Sequence, residues 1–308
     1  MSLDAWILEK RPARNALDPF RPYAFSTESE RSKDGAIVPV NTVFLTNREC
    51  PWRCLMCDLW KNTLQETVPK GAIPTQIKYA LERLPQASCI KLYNSGSFFD
   101  PRAIPPADYC EIAAKLRPFT HVIVESHPAL IGPACLRFQE MLSGRLEVAI
   151  GLETVHPDAL LRLNKRMTLE DFTSAAGFLR NNDVDLRAFI LVQPPFVPGP
   201  DAHYWAARSL DFAFECGASV ATLIPTRGGN GAMEEIDGFE PPRITTLESC
   251  LEYGISIRKG RVFADLWDLE RFSRCSACYK SRTARLQHMN LHQMIPDAIQ
   301  CPACGVAQ

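Results

Sequence analysis

Cys50-Pro-Trp-Arg-Cys54-Leu-Met-Cys57 packs three thiols into eight residues, directly after an apolar run, Thr42–Thr46, that reads as a strand. A C-x3-C-x2-C triplet on a loop suits a metal site better than a hydrophobic core. Its number is informative. A structural zinc takes four ligands, and a fully cysteinyl 4Fe–4S cluster takes four cysteines. Three cysteines leave one metal position open, and an open position is where an outside ligand binds. The plainer alternatives are a three-ligand zinc site or three incidental thiols.

Composition bounds what surrounds the triplet. The 308 residues are 46% hydrophobic and 22% charged, enough for one large α/β domain with a small appendage. A net charge of −1 provides no global basic field of the kind that advertises nucleic acid. The start, Met1–Lys10, is too acidic and too briefly apolar for a secretory signal, and no stretch approaches the length of a membrane span. Twelve cysteines without an export signal point to reduced thiols and metal sites in the cytoplasm, not to disulfides.

Residues 1–40 are rich in Pro, Arg and Ser and read as an irregular arm. Residues 41–265 then alternate strands with helices. Strands are expected at Thr42–Thr46, Cys89–Tyr93, His121–Glu125, Leu146–Ile150, Leu186–Val192 and Ser219–Ile224, with Arg261–Ala264 as a further candidate. Thr168 with Asp171 three residues on forms a box-like helix start. Six strand–helix units in series imply parallel strands with right-handed crossovers. Six is fewer than the eight of a closed barrel, so the expectation is an α/β partial barrel with a lateral opening. Small or polar residues fall at the strand ends: Asn94-Ser-Gly-Ser97, Glu125-Ser126, Glu153 and Gln193. Each has an ordinary alternative as a turn, cap or salt bridge. The loop Arg227-Gly-Gly-Asn-Gly231 lacks the lysine of a phosphate loop and reads as a turn lining the pocket, with Arg227 meeting an anionic group.

The triplet at the end of a first strand, followed by repeated strand–helix units, resembles the radical SAM superfamily over roughly residues 41–230. One departure is Met56, where that family often carries an aromatic residue. The resemblance implies a six-stranded (β/α)6 partial barrel. It implies that Cys50, Cys54 and Cys57 hold three irons of a 4Fe–4S cluster and that S-adenosylmethionine (SAM) chelates the fourth. Reductive cleavage of SAM would then supply a 5′-deoxyadenosyl radical that abstracts a hydrogen atom from the substrate. Asn94, Ser95, Gly96 and Ser97 stand where the family binds the methionyl amino group, although the family's form is often Gly-Gly-Glu. Glu125, Ser126, Glu153, Lys165 and Gln193 complete the candidate SAM contacts, with Arg166 as an alternative to Lys165. Gly151–Asp158 leading into Leu160–Met167 is similar to the branch of the elongator catalytic subunit, the methylthiotransferases and the nitrogenase-cofactor radical enzyme. Asn94–Ser97 is faintly similar to the archaeosine-forming radical SAM lyases, whose substrate is not carried over. The implied partner is a reductant protein such as a flavodoxin or ferredoxin.

Residues 266–308 form a four-cysteine tail. Cys275-Ser-Ala-Cys278 and Cys301-Pro-Ala-Cys304 have zinc-ribbon spacing, with Gly305 suited to the turn after the second pair. A closed set of four thiolates points to a structural zinc. The competitors are a mixed site using His288 and His292, and an auxiliary iron–sulfur cluster. Arg271, Arg274, Lys280, Arg282 and Arg285 stand against one acid, Asp297, which leaves RNA as a possible partner beside the plain reading of a solvated face.

The function expected is a radical SAM enzyme of unassigned reaction subclass, acting on an RNA nucleoside or a small metabolite. No catalytic residue is assigned beyond the cluster ligands. The rival is a non-enzymatic, zinc-stabilised binding protein, with RNA as one candidate ligand, whose triplet holds zinc or a degenerate cluster. Iron and sulfide in the protein distinguish the two.

Overall fold

Strand alternation sets the architecture. In this computed structural model, which describes residues 1–304, eight strands lie side by side in chain order. They are β1 (Ala24–Arg31), β2 (Ile37–Phe44), β3 (Cys89–Tyr93), β4 (His121–Ser126), β5 (Arg145–Glu153), β6 (Asp185–Val192), β7 (Val220–Pro225) and β8 (Arg261–Ala264). β1 runs antiparallel to β2, and every later neighbour pair is parallel. The helices are α1 (Leu3–Lys10), α2 (Ala72–Leu81), α3 (Tyr109–Leu116), α4 (Pro133–Met141), α5 (Pro157–Arg162), α6 (Leu169–Asn181), α7 (Ala202–Glu215), α8 (Ile244–Ser256) and α9 (Ser276–His292). Thr168 and Asp171 form the reciprocal cap of α6, as their spacing predicts.

The expected partial barrel is present, with eight strands where six were expected and one more was a candidate. The strand expected at Arg261–Ala264 is β8. The irregular arm expected over residues 1–40 instead holds α1 and β1. The sequence Ala24-Phe-Ser-Thr-Glu-Ser-Glu-Arg31 has no apolar run because only Phe25 reaches the helix-side core, while Ser26, Glu28 and Glu30 occupy the alternate positions. The turn before β2 does carry a hairpin signal, Asp34-Gly35, with Gly35 at φ +89°.

The two faces of the sheet differ. Ile90, Leu92, Val122, Val124, Val148, Ile150, Ala188, Ile190 and Leu223 point outward into the helix layer and are fully buried. Between them, charged residues point inward and meet across the barrel. Lys91 Nζ lies 2.5 Å from Glu30 Oε2, Arg187 Nη2 lies 2.6 Å from Glu30 Oε1, and Arg187 Nε lies 2.5 Å from Glu147 Oε1. β1 and β6 are not neighbours in the sheet, so the Glu30–Arg187 pair spans the interior. Burial works against the ionised Glu147, but Arg187 and His121 hold its carboxyl down at about 2. This ion-paired floor closes the end of the barrel where the parallel strands begin.

The sheet does not close on itself, and α9 fills the seam between β8 and β1. The Asn290 amide donates to Ala264 O and accepts from Ala264 N, both at 2.8 Å. The Gln293 amide does the same with Val262, again at 2.8 Å in both directions. Two side-chain amides thus take the place of a ninth strand and satisfy an otherwise bare edge. Arg261 Nη1 donates to Arg31 O at 2.7 Å across the same seam. The lateral opening expected of an incomplete barrel is occupied by this helix at the level of Val262–Ala264.

Candidate metal and cofactor site

The triplet follows β2 directly, at the end of the barrel where the parallel strands finish. Four sets of contacts fix its loop. Asn230, from the loop after β7, donates to Leu55 O at 2.7 Å and Cys57 O at 3.1 Å, and accepts from Ala232 N and Met233 N. Asn164 donates to Arg53 O at 2.8 Å. Leu55 packs with Ile7 of α1, Ala232 and Met233. Glu49 takes ion pairs from Arg11 at 2.7 Å, from Arg53 at 3.2 Å and from Arg14. Gly231, at φ +89°, sits so close to Lys10 O that a Cβ would collide with it.

The donor set fits a metal cofactor. Burial pushes the Cys50, Cys54 and Cys57 thiols up to about 12 each. Three thiols that water will not ionise become thiolates when a cation binds them. Unlike the tail thiols, they are not drawn together as for one small ion. Among the described residues, the one group of three or more His, Cys, Asp or Glu ligand atoms within 4.8 Å of one another is elsewhere, in the tail. A polynuclear cluster holds its ligands farther apart than a single zinc does.

The strand-end residues singled out in the sequence fall into three groups. Asn94, Ser95, Gly96, Ser97, Glu125 and Ser126 come together beside the triplet. A Cβ on Gly96 would lie 3.2 Å from Cys50 Cβ. Glu125 Oε1 accepts from Asn94 N at 2.6 Å and from Gly96 N at 3.3 Å. Burial nevertheless raises the Glu125 carboxyl to about 7. The Asn94 amide is fully buried, and among the described residues neither of its polar atoms has a hydrogen-bond partner. Such orphans are costly unless a ligand satisfies them. Glu153 and Lys165 pair with each other at 2.5 Å. Burial disfavours the Lys165 ammonium, but Glu153 and the Cys54 and Cys50 thiols raise its pKa. Gly151 makes room for this pair, since a Cβ there would collide with both groups. Gln193 is the outlier: its Nε2 donates to Glu240 O at 2.8 Å. Arg166, the alternative to Lys165, pairs with Asp4 at the surface. Arg227 does not stand ready for an anion, because Asp265 neutralises it at 2.8 Å.

Three partners of this site, Trp52, His127 and Tyr23, were not legible. Trp52, inside the triplet, stacks on His127 with centroids 3.7 Å apart and planes 11° apart. His127 Nδ1 accepts from Ala129 N at 3.2 Å, so Nε2 carries the proton and donates to Lys165 O at 3.0 Å. Burial and then Lys165 lower this imidazole to about 4, so it is neutral near pH 7. Tyr23 Oη lies 3.2 Å from Ser95 Oγ. No spacing rule links Trp52 to His127, 75 residues away in the numbering. Arg11 and Arg14, close together in the N-terminal arm, carried no sequence signal that they would pair with Glu49.

The tail thiols converge. Cys275 Sγ lies 3.8 Å from Cys301 Sγ, and Cys278 Sγ lies 3.8 Å from Cys304 Sγ. Zinc–sulfur bonds of about 2.3 Å give a tetrahedral edge of about 3.8 Å. This group could hold one metal ion and is too tight for a cubane cluster. His288 and His292 lie against each other instead, with ring centroids 4.4 Å apart and planes tilted by 37°. The scaffold is the start of α9 plus a return loop, with no β-ribbon among the described residues. Gly305 lies outside them. Arg282 Nε donates to Cys278 Sγ at 3.3 Å and Nη1 pairs with Glu248 at 2.5 Å, which ties the thiols to α8. Arg282 and Arg285 are therefore buried and paired, which removes two of the five basic residues of the face expected for RNA.

No protein-family model matches the chain. It is 24% identical over 258 residues to an uncharacterised protein of Methanocaldococcus jannaschii, covering 78% of this chain and 71% of that protein. It is 27% identical to the archaeosine synthase subunit beta of Methanosarcina acetivorans, covering 82% of this chain and 77% of that one. A radical SAM methyltransferase from Sphaerobacter thermophilus superposes with a TM-score of 0.54 at 15% identity, over 81% of this chain and 77% of that chain. The archaeal Elp3 of Methanocaldococcus infernus superposes with a TM-score of 0.53 at 13% identity, over 74% of this chain and 60% of that chain. Among the described residues, no helix is long and apolar enough to cross a membrane. The open, mostly parallel barrel that carries the triplet after β2 thus has the fold of a radical SAM methyltransferase.

Proposed function

We propose that this chain is a radical SAM enzyme in which Cys50, Cys54 and Cys57 ligate a 4Fe–4S cluster. The observation that carries the reading is the half-buried triplet beside a strand end whose Asn94 amide has no hydrogen-bond partner among the described residues. Bound there, the cluster and SAM supply reductive cleavage of a sulfonium carbon–sulfur bond and a 5′-deoxyadenosyl radical that abstracts hydrogen. The chain's part is to bind, orient and exclude water. Asn94, Ser95, Gly96 and Ser97 form the turn that receives the methionyl end. Glu125, Ser126, Glu153 and Lys165 supply charge and hydrogen bonds around it. The Lys165 ammonium, next to the triplet, offsets thiolate charge. Gln193 keeps a lesser role through its bond to Glu240. Cys275, Cys278, Cys301 and Cys304 hold a structural zinc. The substrate is an RNA nucleoside or a small metabolite, and the electron donor is a flavodoxin or ferredoxin in the cytoplasm. Only hydrogen-atom abstraction is assigned.

The test is anaerobic reconstitution with iron and sulfide, followed by SAM and dithionite, with 5′-deoxyadenosine counted by mass spectrometry. Wild type should form it and the Cys50/Cys54/Cys57→Ala variant should not. A triplet that takes up zinc and refuses iron would favour the non-enzymatic rival instead.

A further inference from the structure

Closed eight-stranded barrels fill their interior with layers of side chains. This barrel fills only its lower part. At the level of the ion-paired floor, Lys91, Glu147 and Arg187 are buried. One and two layers higher, the inward residues Phe44, Tyr93, Glu125, Phe189, Thr222 and Ile224 are only partly buried. Their outward neighbours on the same strands are fully buried. At these positions the inner face of the sheet is less buried than its outer face, although the inward Ala149 and Leu191 are buried.

That open inner face is aromatic. Phe44 and Tyr93 have centroids 6.2 Å apart, and Tyr93 and Phe189 are 6.0 Å apart. Tyr93 is on β3 and Phe189 on β6, so this contact crosses the interior and makes the aromatics a floor of the mouth as well as a wall. Tyr23 joins at 5.6 Å from Phe44, and Trp267 at 5.8 Å. Trp267 is 53% exposed at the rim. Exposed aromatic surface of this kind is unfavourable in water unless something covers it.

We infer that the barrel mouth binds a planar aromatic ring of the substrate against Phe44, Tyr93 and Phe189, with Trp267 at its outer edge. This deepens the radical SAM reading by naming a substrate class. Three features favour a flat ring over an aliphatic or anionic group. Ring faces and edges offer the quadrupole matches that a saturated chain lacks. The charges below, Lys91, Glu30, Arg187 and Glu147, neutralise one another, so a buried phosphate would find them already paired. Glu125, beside Tyr93 at the strand ends, offers a carboxyl that can accept from a ring N–H at the edge. An anionic part of the substrate would stay outside the rim.

The experiment uses cluster-loaded protein with SAM bound and no reductant, so no chemistry intervenes. Purine riboside, indole and, as controls lacking an aromatic ring, D-ribose and cyclohexanol are titrated by saturation-transfer NMR. Both planar probes should bind and both controls should not. Phe189→Leu, which keeps apolar volume, should weaken purine riboside about tenfold, in line with the 1–3 kcal/mol of a base–aromatic stack. Its melting temperature reports whether it is folded, and Trp267→Ala at the exposed rim gives a second variant free of folding risk. Equal binding of planar and saturated probes would overturn the inference. So would unchanged affinity in both variants, or competition between purine riboside and SAM, which would assign the aromatics to the cofactor. Failure of 5′-deoxyadenosine formation would sink the radical reading alone and leave this binding result standing.

Discussion

At the scale of single residues, Glu125 is where sequence position, burial and chemistry meet. It was legible as a carboxylate at a strand end, but not as one held by two backbone N–H groups and still pushed up to about 7. Burial is the larger cause, and the bonds from Asn94 and Gly96 only moderate it. The sign of the consequence follows. Unfolded, this carboxyl titrates near 4.5; folded, it keeps its proton to higher pH. The folded state therefore binds more protons between these values, and the contribution is fully present below the unfolded value. It is lost as pH rises through about 7, at up to about 1.4 kcal/mol per unit. Urea titrations of metal-free protein from pH 5 to 8 should show stability falling with pH, and Glu125→Gln should flatten that fall. An unchanged slope in the variant would mean that another group carries it. The triplet was readable because three cysteines in eight residues have few structural explanations. Asn230, Trp52 and His127 were not, because their roles arise from loops brought together by the fold, and no periodicity encodes such meetings.

Elements were legible in proportion to their apolar content. β3 to β7 bury one face under helices, so each announces itself as a hydrophobic run. β1 does not, because its inward face carries Glu28 and Glu30 and its stability comes from pairing along the whole of β2. Pairing partners leave no mark in a single sequence beyond the Asp34-Gly35 turn. α9 is the same case from the other side. Its helical spacing was visible at His288 and His292, but its work is done by Asn290 and Gln293, which look like ordinary polar residues. Their four hydrogen bonds to Val262 and Ala264 are each worth about 0.5–1.5 kcal/mol. An Asn290→Ala/Gln293→Ala variant should lose roughly 2–4 kcal/mol if the backbone groups stay partly dry. Amide hydrogen exchange at Val262 and Ala264 should quicken by one to three orders of magnitude. Exchange as slow as in wild type would show that β8 is shielded by packing and not by those amides.

Across the whole molecule, the tail metal site and the barrel seam are two ends of one helix. At its start, Cys275 and Cys278 meet Cys301 and Cys304, and Arg282 and Arg285 reach Glu248 and Glu252 of α8. At its end, Gln293 and Asn290 hold the edge of β8. Between them, Arg285 bonds Pro296 O at 2.7 Å and Asp297 O at 2.9 Å, which folds the return loop back onto the helix. A metal bound by the four thiols would therefore brace the piece that closes the barrel, some distance from the triplet. Removing it leaves Arg282 beside a free thiol and releases the loop's far end. The expected result is one zinc per chain by elemental analysis, lost in Cys301→Ser/Cys304→Ser. That variant should melt several degrees lower, since a shift of a few degrees corresponds to about 1–2 kcal/mol in a chain of this size. Iron held by Cys50, Cys54 and Cys57 should stay at wild-type stoichiometry, because among the described residues no tail side chain hydrogen-bonds to those thiols. Exchange at Val262 and Ala264 should rise in the same variant. If the tail loosens while those two amides stay protected, α9 is held by its own packing against α8, and the metal braces only the loop that returns to it.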